Sequence, residues 1–150
     1  MQTFLPYADF YQSAHVLDGA RLGKQRVEAW QILDLLMNPT KTSKWRNHPA
    51  VQMWKGYEAA LARYGMALCY EWHMTRGYKD TLNLKFANAY GYLINVLNVA
   101  DMVPPWLGSS SFHTSHRSNL LRKDPNWYRK FWPKLRNDMP YNWPIPKSTV

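Results

Sequence analysis

The sequence predicts an all-α fold: a single compact domain of three to four helices with an irregular, aromatic, Pro-rich C-terminal tail. Three observations carry that expectation. Apolar residues recur at spacings of three and four over several long stretches. Those stretches are separated by Asn38-Pro39, Arg76-Gly77 and Pro104-Pro105. The 150 residues hold no repeat, linker or low-complexity tract, and a chain of that length suits one domain.

The elements follow in order. Residues 1–17 mix Pro6 with aromatics and read as extended or irregular. Asp18 is placed to cap a helix beginning at Gly19 or Ala20, with Val27, Trp30, Leu33 and Leu36 or Met37 on its apolar face. Asn38-Pro39-Thr40 ends it, and 40–47 form a polar, basic loop. Asn47 is the expected cap of the next helix, with His48 and Pro49 in its first turn. Val51, Trp54, Tyr57, Leu61, Tyr64, Leu68 and Trp72 then share one face over six turns, and Arg76-Gly77 closes the helix. Residues 79–100 read as helical, with Leu82, Phe86, Leu93 and Leu97 in phase. A shorter helix is expected over about 110–123, with the Ser109–Ser111 run as its cap. The tail carries Pro125, Pro133, Pro140, Pro144 and Pro146 and is expected to wrap the surface in extended form.

Composition narrows the function. Lys plus Arg number 19 and Asp plus Glu 10, giving a formal charge of +9. A single cysteine, Cys69, excludes an internal disulfide framework and a Cys-rich zinc module. No apolar run approaches a membrane span, and the start has neither the basic nor the apolar segment of a signal peptide. The expectation is therefore a soluble, cytoplasmic protein, with no membrane or obligate protein partner implied. Between Asp34 and Glu58 there are Lys41, Lys44, Arg46 and Lys55 but no acid; from His113 to Arg136 seven bases face Asp124 alone. Trp45, Trp127, Tyr128 and Trp132 are threaded through these stretches. Cations neutralise phosphates and flat rings stack on bases, so the mixture points to nucleic acid.

Few groups can carry chemistry. Cys69 with His73, and His113 with His116, have chelating spacing but no third ligand nearby in sequence, so neither metal nor cofactor is implied. Gly19-x-x-x-Gly23-Lys24 lacks the spacing of a phosphate loop. Of three glutamates, Glu58 and Glu71 read as solvated. Glu28 shares a helix face with Arg21, Lys24 and Gln25. An acid on a phosphate-facing surface opposes binding, so it either has a chemical role or simply pairs with Lys24 at i,i+4. Both readings stand on spacing alone.

At Leu17-Asp18-Gly19-Ala20-Arg21-Leu22-Gly23-Lys24-Gln25-Arg26-Val27-Glu28 the chain resembles the LD-x-x-RL-x-x-[EQ]-x-x-E helix of pyrimidine-dimer DNA glycosylases, the phage endonuclease V family. Asn47-His48-Pro49 through Trp54, Tyr57, Tyr64, Glu71 and Arg76-Gly77-Tyr78 is similar to that family's long middle helix. Asp124-Pro125-Asn126-Trp127-Tyr128-Arg129 is similar to its Pro-x-Trp-Tyr-Lys segment, behind a basic helix from Ser115 to Lys123. Together the three cover roughly half the chain, and 79–112 reads as an insertion.

The resemblance implies an all-α domain with its N-terminus threaded between helices. The implied activity is excision of a damaged pyrimidine from double-stranded DNA, followed by nicking of the backbone as a lyase. The implied nucleophile is the N-terminal α-amine, which forms an imine at the sugar C1′; Glu28 matches the helix glutamate that stabilises the cationic sugar and assists proton transfer. Gln2, a large residue in second position where the phage enzyme has a small one, implies that Met1 is retained and supplies the amine. Arg21 and Arg26 match the phosphate-holding face, although Val27 stands where the phage enzyme has an Arg; Arg117 and Arg122 match the C-terminal basic pair, and Trp127 and Tyr128 the aromatic pair. Lys24, Lys44, Arg46, His48 and Lys123 complete the candidate DNA contacts. The reading from another class is a non-enzymatic basic DNA- or RNA-binding module.

Overall fold

The computed structural model describes residues 1–144; Pro146, assigned above to the extended tail, lies outside them. Among the described residues there are seven α-helices and no strand. They are α1 (Phe10–Val16), α2 (Gly19–Met37), α3 (Pro49–Gln52), α4 (Glu58–Tyr70), α5 (Asn83–Asn95), α6 (Ser110–Lys123) and α7 (Pro125–Tyr128), with a π-helical turn over Glu71–Thr75 after α4. The all-α expectation holds, but the helices are shorter and more numerous than three or four. No helix among these residues is long and apolar enough to cross a membrane.

The first segment is not irregular throughout. Asp9 caps α1 by accepting from the Gln12 N–H at 2.9 Å, and Phe10, Ala14 and Val16 are buried. Asp18 does cap α2, accepting from the Arg21 N–H. The apolar face of α2 is rotated from the one the spacing suggested. Leu22, Ala29, Ile32, Leu33 and Leu35 are buried whereas Val27 is 45% exposed. Two neighbours cause the rotation: α4 packs along the helix, and the N-terminal segment hydrogen-bonds to its Gln25 and Glu28 face.

The middle helix is broken. His48, not Asn47, caps α3, its Nδ1 accepting from the Ala50 N–H at 3.0 Å. The chain then turns at Gly56, whose φ of +88° a side-chain-bearing residue rarely adopts, and α4 starts at Glu58. Val51, Trp54, Leu61, Tyr64 and Leu68 are nonetheless all fully buried, so the apolar phase survives a break in the backbone. Ser109 caps α6 as expected. The tail is interrupted by α7, which Asp124 caps and Pro125 opens.

Gly65 sits in α4 because a side chain does not fit. A Cβ there would lie 2.2–2.4 Å from the ring of Phe86 on α5, and that ring is fully buried, edge-on to Trp30. Gly65→Ala is therefore expected to destabilise: overpacking costs about 1–3 kcal/mol, which exceeds the helix-propensity gain of about 1 kcal/mol. Gly91→Ala in α5, with nothing within 4 Å of its added methyl, is expected to raise the melting temperature. Thermal denaturation of the two variants checks the opposite signs.

The N-terminal segment runs between helices and is tied down along its length. Trp54 Nε1 donates to Thr3 Oγ1 at 3.0 Å, and the Tyr64 hydroxyl donates to the Phe4 carbonyl. Burial, with Glu28 and Tyr128 adding to it, pushes the Tyr64 phenol up, which keeps it a neutral donor. On α6, the Leu5 N–H donates to His116 Nδ1 at 3.0 Å and the Leu5 carbonyl meets His113 Nδ1 at 2.7 Å. His113 Nε2 accepts from the Gly108 N–H, so its proton resides on Nδ1. His116 must carry its own on Nε2.

Candidate functional site

The threading of residues 1–5 past α2 creates a cavity of about 400 Å³. Met1, Phe4 and Ala20 form its apolar wall, and Gln2 and Gln25 contribute amides. Arg21, Lys24 and Lys123 bring three cations against one carboxylate, Glu28. Helical spacing explains the α2 contribution: positions 21, 24, 25 and 28 lie on the face that the N-terminal segment covers.

Glu28 is largely enclosed, with 17% of its side chain exposed. Its Oε2 accepts from the Gln2 N–H at 3.1 Å, and its Oε1 is 3.6 Å from Lys24 Nζ. The i,i+4 pair weighed above thus exists, but Lys24 is largely exposed and such a pair contributes little. Lys24 remains free to turn toward a phosphate. Asp18 anchors the start of this helix. Burial opposes its ionisation, but hydrogen bonds from the Tyr128 hydroxyl and from Arg21 outweigh that and hold its carboxyl below the usual range. Arg21, 3.2 Å from Asp18, is thereby fixed at the cavity mouth.

His48, between Trp45 and Trp143, lies near enough to the chain end to feel the Met1 ammonium. Burial, then that charge, lowers its pKa. Its Nδ1 is committed to capping α3. Lys44 is exposed beside the Trp45 ring.

Several candidate contacts have other work. Arg26 is 7% exposed, donates to Asp80 at 2.7 Å and lies over the Trp72 ring, so it cross-links α2 to the segment before α5 rather than facing a phosphate. Arg46 donates to the carbonyls of Leu35, Asn38 and Lys41, closing the end of α2. Arg117 donates to the Pro6 carbonyl at 2.6 Å and stacks by Tyr7. Arg122 is exposed and donates to the Asn137 carbonyl and to Asn119. Tyr128 is fully buried, with its hydroxyl on Asp18, so it is a structural ring and not a stacking platform. Trp127 is half-buried, and its Nε1 donates to the Val16 carbonyl at 2.8 Å.

Trp127 lines a different cleft, of about 560 Å³, which reaches the first residue of α2, Gly19. Lys130, Phe131 and Tyr78 share it with Gly19, and Lys130 Nζ sits 3.4 Å from the Trp127 ring centre. Glu71 closes its floor. Read from sequence as solvated, Glu71 is buried, its Oε1 held by His15 at 2.9 Å and Arg76 at 3.4 Å. His15 lies 56 positions away, and nothing local in the sequence pairs the two. Gln2, Phe4 and Gln25 are likewise outside the set of site residues the sequence suggests, although Gln25 carries two signals, its place on the Glu28 face and its match to the [EQ] position of the family helix.

The family model described as pyrimidine dimer DNA glycosylase matches residues 1–86. That stretch contains the N-terminal segment, α2, the broken middle helix and the start of α5. No curated protein and no solved structure matches the chain.

Proposed function

The chain belongs to the pyrimidine dimer DNA glycosylase family, and on that premise we propose that it excises a damaged or modified pyrimidine from duplex DNA through an imine to the Met1 amine, and then nicks the strand. The observation that carries this reading is the shared cavity: Met1 and Glu28 open into one electropositive space, and the peptide N–H next to Met1 is bonded to the Glu28 carboxylate.

The amine nitrogen attacks C1′ while the bond from C1′ to the base breaks, and the base departs with that electron pair and takes up a proton. The nitrogen then gives up a proton and the sugar ring opens, leaving a protonated imine. Removal of a C2′ proton expels the 3′ phosphate, and water releases the sugar fragment. Glu28 stabilises the positive charge that develops on the sugar and relays protons between these steps. Arg21, Lys24 and Lys123 hold the flanking phosphates, which makes affinity strongly salt-dependent. Lys44 and Arg122, both exposed, extend that basic surface. Trp127 and Lys130 supply a ring and a charge in the second cleft at the start of α2, where a second stretch of the strand can rest. Damaged bases cost less to unstack, which contributes selectivity.

Borohydride reduction tests the imine directly. The chain is expected to become covalently trapped on duplex DNA containing an abasic site, and acetylation of its α-amine is expected to abolish trapping without preventing binding. A chain that binds this DNA but is never trapped would leave only the non-enzymatic binding module. Full trapping after the α-amine is blocked would exclude Met1 as the nucleophile.

A further inference from the structure

We propose that Gln25 is a positioning residue, whose side-chain amide takes the place of a neighbouring strand and holds the N-terminal segment in register with Glu28. The inference rests on the imine reading above and names the device that delivers the amine to it.

Gln25 is 2% exposed, on the α2 face beneath residues 2–4. Its Nε2 donates to the Gln2 carbonyl at 2.7 Å, and its Oε1 accepts from the Phe4 N–H at 2.8 Å. Those are the two bonds that a strand alongside would make to alternate groups of an extended chain. Only one orientation of the amide satisfies both, since the flipped amide would set donor against donor. One turn further along α2, Glu28 takes the Gln2 N–H. Two side chains on one helix face therefore bind three polar groups of the segment's tip, the N–H and carbonyl of Gln2 and the N–H of Phe4, while the Thr3 N–H between them donates to Gln2 Oε1.

The rest of the segment is held independently of α2. Thr3 is bonded by Trp54, the Phe4 carbonyl by Tyr64, Leu5 by His113 and His116, and the Pro6 carbonyl by Arg117. Loss of the Gln25 amide thus frees the tip and leaves the threading in place. A nucleophile displaced by about an ångström loses on the order of 100-fold in rate, so register at the tip decides whether the amine reaches C1′.

Gln25→Leu is expected to slow borohydride trapping at least ~30-fold, while affinity for abasic-site DNA stays within about threefold, because no charge at the cavity changes. Amide hydrogen exchange provides the local readout. The Phe4 N–H, bonded to Gln25, should lose protection, while the Leu5 N–H, bonded to His116, should keep it. Gln25→Met serves the same purpose if the leucine variant does not fold.

Gln25→Glu adds a readout that a packing role would not move. Its ionised carboxylate keeps the Phe4 bond but repels the Gln2 carbonyl, whereas the protonated acid restores both bonds. Its trapping rate, divided by that of the wild type at each pH, should rise as pH falls from 8 to 6. Glu28, Arg21, Lys24, Lys123, His48, Tyr64, Tyr141 and the amine face the segment in both proteins; a new carboxylate favours the protonated amine and by itself would make the ratio fall toward pH 6, so a rise reports the restored bond to Gln2.

Wild-type trapping together with a leucine variant that traps within threefold of it would overturn the positioning role and leave the function standing. Loss of Leu5 protection or of DNA affinity along with Phe4, or a ratio flat with pH, would overturn it as well. A wild type that is never trapped would sink the imine reading and this inference with it.

Discussion

Glu28→Gln is expected to reduce strand cleavage by ~10²–10⁴-fold, the range for removing a positioned acid–base group, while duplex DNA binds as tightly as before or more tightly. The variant is close to isosteric, and its amide oxygen can still accept the Gln2 N–H that Glu28 Oε2 accepts at 3.1 Å. The N-terminal segment therefore stays where it is, and the lost quantity is negative charge beside the sugar. That charge now sits among Arg21, Lys24 and Lys123, where it opposes phosphate. Its removal raises the formal charge from +9 by one and strengthens attraction to the duplex at low salt. Stability should barely change, since the Lys24 partner is largely exposed and such pairs contribute little. Single-turnover cleavage of a duplex carrying a pyrimidine dimer, alongside fluorescence anisotropy at fixed ionic strength, separates the two effects. Cleavage within tenfold of the wild type would remove Glu28 from the chemistry. Equal loss of cleavage and binding would make it a structural residue.

Why Glu28 was legible in the sequence and its surroundings were not follows from the range of the interactions. A lone acid at the end of Arg21-x-x-Lys24-x-x-x-Glu28 is a local pattern, fixed by helical period, and Asp18 at the cap gives its register. Arg26 belongs to the same local pattern, yet its partner Asp80 is 54 residues away, and burial of that pair took a predicted phosphate ligand out of reach. Glu71 misled in the opposite direction: on a helix among polar neighbours it read as solvated, and only the fold brings His15 against it. Tyr128 carried the right residue type for stacking, but Asp18 holds its hydroxyl from 110 positions away. The middle helix shows a different failure. An unbroken run of apolar residues in phase implied an unbroken helix, because buried side chains report the face and not the backbone between them, and Gly56 marked the break. The cavity itself depends on an N-terminal segment without regular secondary structure laid across a helix, for which no periodic signal exists.

Acid lability should be set chiefly by the two buried α6 histidines, His113 and His116, at pH values above those at which Asp18 and Asp80 protonate. His116 is completely buried, and burial, with His113 adding to it, depresses its pKa from 6.5 to about 3. Burial also lowers that of His113, against the opposing pull of its bond to the Leu5 carbonyl. A depressed histidine is neutral in the fold and protonated in the unfolded chain between the two values. Unfolding in that window takes up a proton, so stability declines as pH falls from about 6.5 and levels only near 3. At about 1.4 kcal/mol per pH unit, His116 alone removes on the order of 5 kcal/mol over the whole window, a large share of the 5–15 kcal/mol typical of a domain. Asp18 and Asp80, both held below the usual carboxylate range, add their losses only as pH falls through that range, so the interval from 6.5 to 4.5 belongs to histidine. His116→Asn isolates the effect. Its amide oxygen can still accept from the Leu5 N–H, it cannot titrate, and it forfeits some packing against Phe112 and Tyr141. Urea unfolding is expected to show the wild type losing stability steeply across pH 6.5–4.5, while the asparagine variant, weaker at pH 7, declines less, its remaining slope set by the depressed His113 and His48. Parallel decline of the two would show that His116 does not carry the acid response.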